Sequence, residues 1–60
     1  MITKLITFKE TIEVGQDYVT SIELTNQGND KTTIYKITYA DDTFIFLGLR
    51  EHEVYETLPF

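Results

Sequence analysis

A chain with no cysteine and a single histidine must fold without a covalent or metal staple. No disulfide or thiolate metal site can form, and one histidine is too few for a histidine-based structural zinc. At 60 residues the chain is one domain, residues 1–60. A domain of that size buries only about 60% of the surface its unfolded chain exposes. Ordering it costs roughly 1.5 kcal/mol per residue, on the order of 90 kcal/mol in all. Efficient packing or association must offset that cost, so a homo-oligomer is expected. With 42% hydrophobic residues, four Tyr and four Phe, the chain is too apolar to be disordered.

The local pattern is that of strands. Seven Ile, three Val and ten Thr stand against one Ala, and β-branched side chains favour the pleated backbone. Residues 2–14 alternate. Ile2, Ile6, Phe8, Ile12 and Val14 form one face, interrupted by Lys4 and Glu10. The period of two predicts a half-buried strand. Its inward charges suit an edge strand, or one that bends near Glu10. Gly15-Gln16-Asp17 reads as a turn, with Gly15 free to take positive φ. A second strand is predicted over 18–25. The run Asn26-Gln27-Gly28-Asn29-Asp30 is the clearest turn signal. A third strand follows over 32–39, then a short turn at Ala40-Asp41-Asp42. The fourth, over 43–49 (TFIFLGL), is apolar on both faces, as a strand buried on both sides would be.

The tail, 50–60, permits either about two turns of helix or a fifth strand, with Val54 and Glu56 opposed to Tyr55 and Thr57. No good N-cap precedes it, and Pro59 ends any regular element, so an extended or irregular tail is favoured over a short C-terminal helix. The expected fold is all-β: a small antiparallel meander of four strands, or five with the tail, as a curled sheet or small barrel. In simple sequence order the fourth strand would lie on an edge. An uncharged apolar strand left there is an aggregation site, and the flanking Asp41, Asp42, Arg50 and Glu51 look like gatekeepers. The fourth strand is therefore expected inside a sheet or at a subunit interface.

The net charge is −5, and most of it lies late. Arg50 stands alone against Asp41, Asp42, Glu51, Glu53 and Glu56. Acidity disfavours direct contact with nucleic acid and suits a partner protein with a basic surface. It also serves solubility, the more general role of so modest a charge. No basic segment followed by an apolar one resembles a signal peptide. The longest apolar run is far too short to span a bilayer. A cytoplasmic protein with no membrane contact is expected.

Chemistry is sparse. Glu51, His52 and Glu53 cannot converge on a metal, because neighbouring side chains diverge in strand and helix alike. Asp41 and Asp42 are two oxygen donors where a calcium site gathers several, and adjacent Asp residues between strands are commonly turn formers. Ser21 and His52 alone do not make a nucleophile–base pair. Gly15, Gly28 and Gly48 are isolated and make no phosphate loop. No enzyme and no cofactor are expected.

The aromatics carry more information. Tyr is enriched at protein interfaces, where its ring is buried and its hydroxyl stays wet. Phe8, Phe44, Phe46 and one or two Tyr are expected in the core. Tyr35 and Tyr39 are the best candidates for partial exposure, because Lys36 and Thr38 occupy the opposing face. The candidate partner-binding set is Tyr35, Tyr39, Asp41, Asp42, Glu51, Glu53, Tyr55 and Glu56. In size and charge the chain resembles the small accessory proteins that bacteriophages and mobile elements encode to bind and block host factors. That resemblance implies a non-enzymatic inhibitor that occludes a basic surface. The alternative is a structural or assembly module that associates with itself through a strand edge or apolar face.

Overall fold

The computed structural model describes residues 2–59. Six strands form one antiparallel sheet: β1 (Ile2–Thr7), β2 (Thr11–Glu13), β3 (Val19–Leu24), β4 (Thr32–Tyr39), β5 (Phe44–Arg50) and β6 (Val54–Pro59). A single 3₁₀ turn, Glu51–Glu53, precedes β6. The fold is all-β, and its strands follow sequence order except that β6 returns to pair with β1. β2 and β3 run end to end along the other side of β1. The sheet therefore curls into a half-barrel, with β5 and β6 as its unjoined margins. The tail is a fifth full-length strand after one 3₁₀ turn, and not the C-terminal helix that the sequence also permitted.

The predicted first strand is two strands. Phe8 and Lys9 make a two-residue hairpin loop, and Thr7 holds it. The Thr7 N–H donates to the Glu10 carbonyl (2.8 Å). The Thr7 hydroxyl donates to that carbonyl as well (2.8 Å) and accepts from the Glu10 N–H (3.0 Å) and the Lys9 N–H (3.3 Å). Thr7 itself is buried. The alternation therefore reverses direction at Phe8, which ends half exposed. The deepest residue of β1 is Leu5, on the face that looked polar. β1 is no edge strand, since it has neighbours on both sides.

The core is small and mostly aliphatic: Leu5, Val19, Ile22, Ile37 and Leu49, with Tyr35 the one buried aromatic among the described residues. The Phe residues expected inside are half exposed, with Phe8 at 50%, Phe44 at 51% and Phe46 at 50%. A three-residue loop explains two of them. The Tyr39 N–H donates to the Thr43 carbonyl (2.8 Å), closing a hairpin over Ala40-Asp41-Asp42, with Asp42 left-handed at φ 68°. This is a common loop in which one left-handed residue completes a turn. It pairs Ile37 with Ile45 and Tyr35 with Leu47, and it puts Phe44 and Phe46 opposite Thr38 and Lys36 on the outside. A one-residue slip would have reversed the faces. Outside, Phe44 and Phe46 meet edge to face, with centroids 5.5 Å apart. The Lys36 ammonium lies 4.6 Å from the Phe44 ring centre.

β5 is therefore neither buried on both faces nor inside the sheet, as its composition suggested. Among the described residues only β4 pairs with it. The β3–β4 loop does follow its turn signal. Asn29 Oδ1 accepts the N–H groups of Lys31 and Thr32 (2.9 Å each). The chain passes so close at Gly28 that a Cβ there would collide with the Thr32 carbonyl oxygen.

Candidate functional site

The eight residues proposed for partner binding do not form one surface. Tyr39, Asp41 and Asp42 lie at the turn that opens β5, whereas Glu51, Glu53, Tyr55 and Glu56 follow its far end. Seven strand residues separate the groups by about 23 Å, in a molecule 31 Å long. Tyr35, expected to be partly exposed, is buried at 6%, because it lies on the inward face of β4 between Leu24 and Leu47. Burial raises its hydroxyl pKa above the usual tyrosine value.

At the far end a shallow groove of about 440 Å³ runs between β4–β5 and β6. Tyr35, Leu49 and Val54 lie along it, with Glu51, Tyr55 and Glu56 at its rim. Tyr55 is exposed. Glu53 is partly committed to structure, since its carboxylate accepts the Arg50 N–H (2.9 Å). That contact stops β5 and starts the 3₁₀ turn.

The near end is more unusual. The segment between β2 and β3 makes two successive turns. The Gln16 N–H reaches the Glu13 carbonyl (3.1 Å) around Gly15, whose φ is +94°. The Val19 N–H reaches the Gln16 carbonyl (2.9 Å) around Asp17 and Tyr18. Those two residues have φ of 51° and 66°. Positive φ at both central positions is the type I′ signature, which normally requires Asn-Gly or a similar pair. Here the second position carries a tyrosine, a rare occupant because a side chain in that region crowds its own backbone. Asp17, Tyr18 and Asp42 are the positive-φ residues other than glycine among those described, and all three lie at this end.

The two turns are tied together. The Ala40 N–H donates to the Tyr18 carbonyl (2.8 Å), and Asp17, Tyr18, Tyr39, Ala40, Asp41 and Thr43 border one open hollow of about 470 Å³. Tyr18 stands 82% exposed beside it. Asp41 is held in place by Thr43, whose hydroxyl and N–H both donate to its carboxylate. These bonds lower the Asp41 pKa below the usual carboxylate value, so the charge persists in moderate acid. The arrangement is a hydrogen-bonded pair of acidic turns with one projecting and one half-buried tyrosine. It can receive a cationic side chain on a ring face with carboxylates nearby. The candidate set read from the sequence contains Tyr39, Asp41 and Asp42 but not Asp17 and Tyr18, which the structure brings beside them. The turn at Gly15-Gln16-Asp17 was visible, but its extension through Tyr18 carries no Gly or Asn signal.

No known protein family, characterised protein or solved structure matches this chain. Among the described residues no helix is long and apolar enough to cross a membrane.

Proposed function

We propose that the chain is a non-enzymatic protein-interaction protein, acting in the cytoplasm, that occludes a basic surface of a partner protein with its Asp17–Tyr18 and Asp41–Asp42 turns. One observation carries this reading. A tyrosine stands almost fully exposed in a left-handed conformation that a glycine would adopt at lower cost. Strain kept at an exposed residue favours a role in contact over a role in folding. Tyr18 would anchor the contact, while the aspartates would set the sign of the partner and speed encounter. An inhibitor of the kind encoded by phages and mobile elements is the form of this function that size and charge favour.

Capture from cell lysate with wild type, Tyr18→Gly and an Asp17/Asp41/Asp42→Asn triple variant tests the proposal. One protein retained in stoichiometric amount by wild type, released by salt and lost with both variants is the expected result. Capture indifferent to both variants, or no capture at all, contradicts it. Tyr18→Gly should also raise stability, by about 0.5–1 kcal/mol, because it removes the left-handed penalty. A loss of stability would mean that the ring serves the fold.

A second reading, an assembly module, is favoured by a different feature. β5 is an open edge on which Phe44, Ile45 and Phe46 are each about half exposed.

A further inference from the structure

We infer, on the footing of the assembly reading, that β5 pairs antiparallel with β5 of a second copy, about a two-fold axis through Phe46. The hairpin fixes which backbone groups are free. The Tyr39–Thr43 bond sets the alternation of the β4–β5 ladder, so Ile45, Leu47 and Leu49 bond inward to β4. Phe44, Phe46 and Gly48 then point their N–H and C=O groups off the open edge. The β3–β4 ladder agrees with this assignment. The Thr25 N–H bonds the Ile34 carbonyl (3.0 Å), which commits the even-numbered residues of β4 to β3 and leaves its odd-numbered ones for β5. At the end of the strand the outward Arg50 N–H is already taken by Glu53, so the open ladder is short and bounded.

Only even-numbered residues of β5 can form bonded pairs across this edge, and one register matches the side chains as well. With Phe46 opposite Phe46 of the second copy, Phe44 stands opposite Gly48, and Gly48 opposite Phe44. About six backbone hydrogen bonds form. The two Phe46 rings meet at the axis. Each Phe44 ring covers a glycine that has no side chain of its own, beside the Thr32 methyl, which lies 3.4 Å from where a Cβ would sit. On the inward face Ile45 stands opposite Leu47. Beyond the ladder Arg50 comes level with Asp42 of the second copy at both ends. The register therefore joins one cation to one anion twice, and no charged residue lies between Phe44 and Leu49. Shifting the register by two residues separates those charges and takes Phe44 off Gly48. The edge is self-complementary in hydrogen bonding, shape and charge, which a two-fold interface requires.

Light scattering on wild type and Phe46→Glu, together with circular dichroism, tests this. The substitution faces Lys36 within its own chain, so the fold should tolerate it, but it places like charges on the axis. Wild type is expected at twice the 7.0 kDa chain mass at tens of micromolar, and the variant at the single mass with an unchanged spectrum. A monomeric wild type at millimolar concentration overturns both the pairing and the assembly reading. A variant that stays dimeric overturns the pairing alone, since the chain would then assemble through another surface. Cysteine substitution tests the register, because the chain has no other thiol. Phe46→Cys should form a disulfide dimer in air, since bonded partners have Cα atoms about 5.5 Å apart. Phe44→Cys and Gly48→Cys should each fail alone, with like positions offset by about 13 Å, yet cross-link when mixed. Cross-linking of Phe44→Cys to itself in preference to Phe46→Cys would refute the register.

Discussion

β1 and β5 are nearly the same length and exchange the roles their sequences suggest. β1 carries Lys4 and two threonines among its six residues, yet it has neighbours on both sides and supplies Leu5, which is fully buried. β5 is uncharged from Phe44 to Leu49, yet it borders solvent and buries only Leu49. Burial here follows position in the sheet and not the hydrophobicity of the strand. β6 returns to β1 and closes that side, while nothing in the described chain returns to β5. A strand that is apolar on both faces but covered only on its inward one, and there only at Leu47 and Leu49, is better explained by a partner than by the core.

Large-to-small substitutions give the widest separation between the two strands. Leu5→Ala in β1, like Ile37→Ala in β4, empties a fully buried site and should cost about 2–5 kcal/mol. Phe46→Ala, at a half-exposed outward ring, should cost about 1 kcal/mol or less in the monomeric protein. Denaturant titration checks both. Equal losses would mean that the outward face of β5 belongs to the core as well.

The turn that makes β1 a separate strand comes next. Thr7→Val keeps the shape and removes the hydroxyl that holds Glu10 and Lys9. A loss of about 1–3 kcal/mol is expected in the same titration. A neutral result would mean that the Phe8-Lys9 loop forms without it.

The dependence on pH separates a buried group of the β4 ladder from an exposed group of its loop. Burial raises the Tyr35 pKa. The folded state therefore holds this proton more tightly than the unfolded state, whose tyrosine value is about 10. Stability should fall as pH rises through and above that value, and Tyr35→Phe should flatten the decline. The Asp41 pKa is lowered by its bonds to Thr43. Its contribution is complete above the unfolded carboxylate value of about 3.9 and is lost as pH falls through the lower folded one. This effect is the smaller, because the carboxylate is solvent-exposed, and Asp41→Asn should remove it.

What the sequence reveals depends on the kind of signal each feature needs. The all-β class follows from β-branched alternation, and the loops at Asn26–Asp30 and Ala40–Asp42 from residues that tolerate turn geometry. The break at Thr7 is hidden, because the loop residues Phe8 and Lys9 take no positive φ and the turn is held by a threonine hydroxyl. The faces of β5 are hidden for a related reason. They depend on whether the preceding loop has two residues or three, and a run that is apolar on both faces fits either. Half of the candidate site was legible as acidic turn formers. Tyr18 was not, because a residue that opposes its own conformation has no local pattern.

Amide hydrogen exchange across residues 44–49 of the Phe46→Glu protein tests most directly whether β5 is an open edge. Alternation is the expected result: slow exchange at Ile45, Leu47 and Leu49, bonded to β4, and fast exchange at positions 44, 46 and 48. Slow exchange at all six while the variant is monomeric would show a second strand pairing within the chain and would contradict the half-barrel with its unjoined margin.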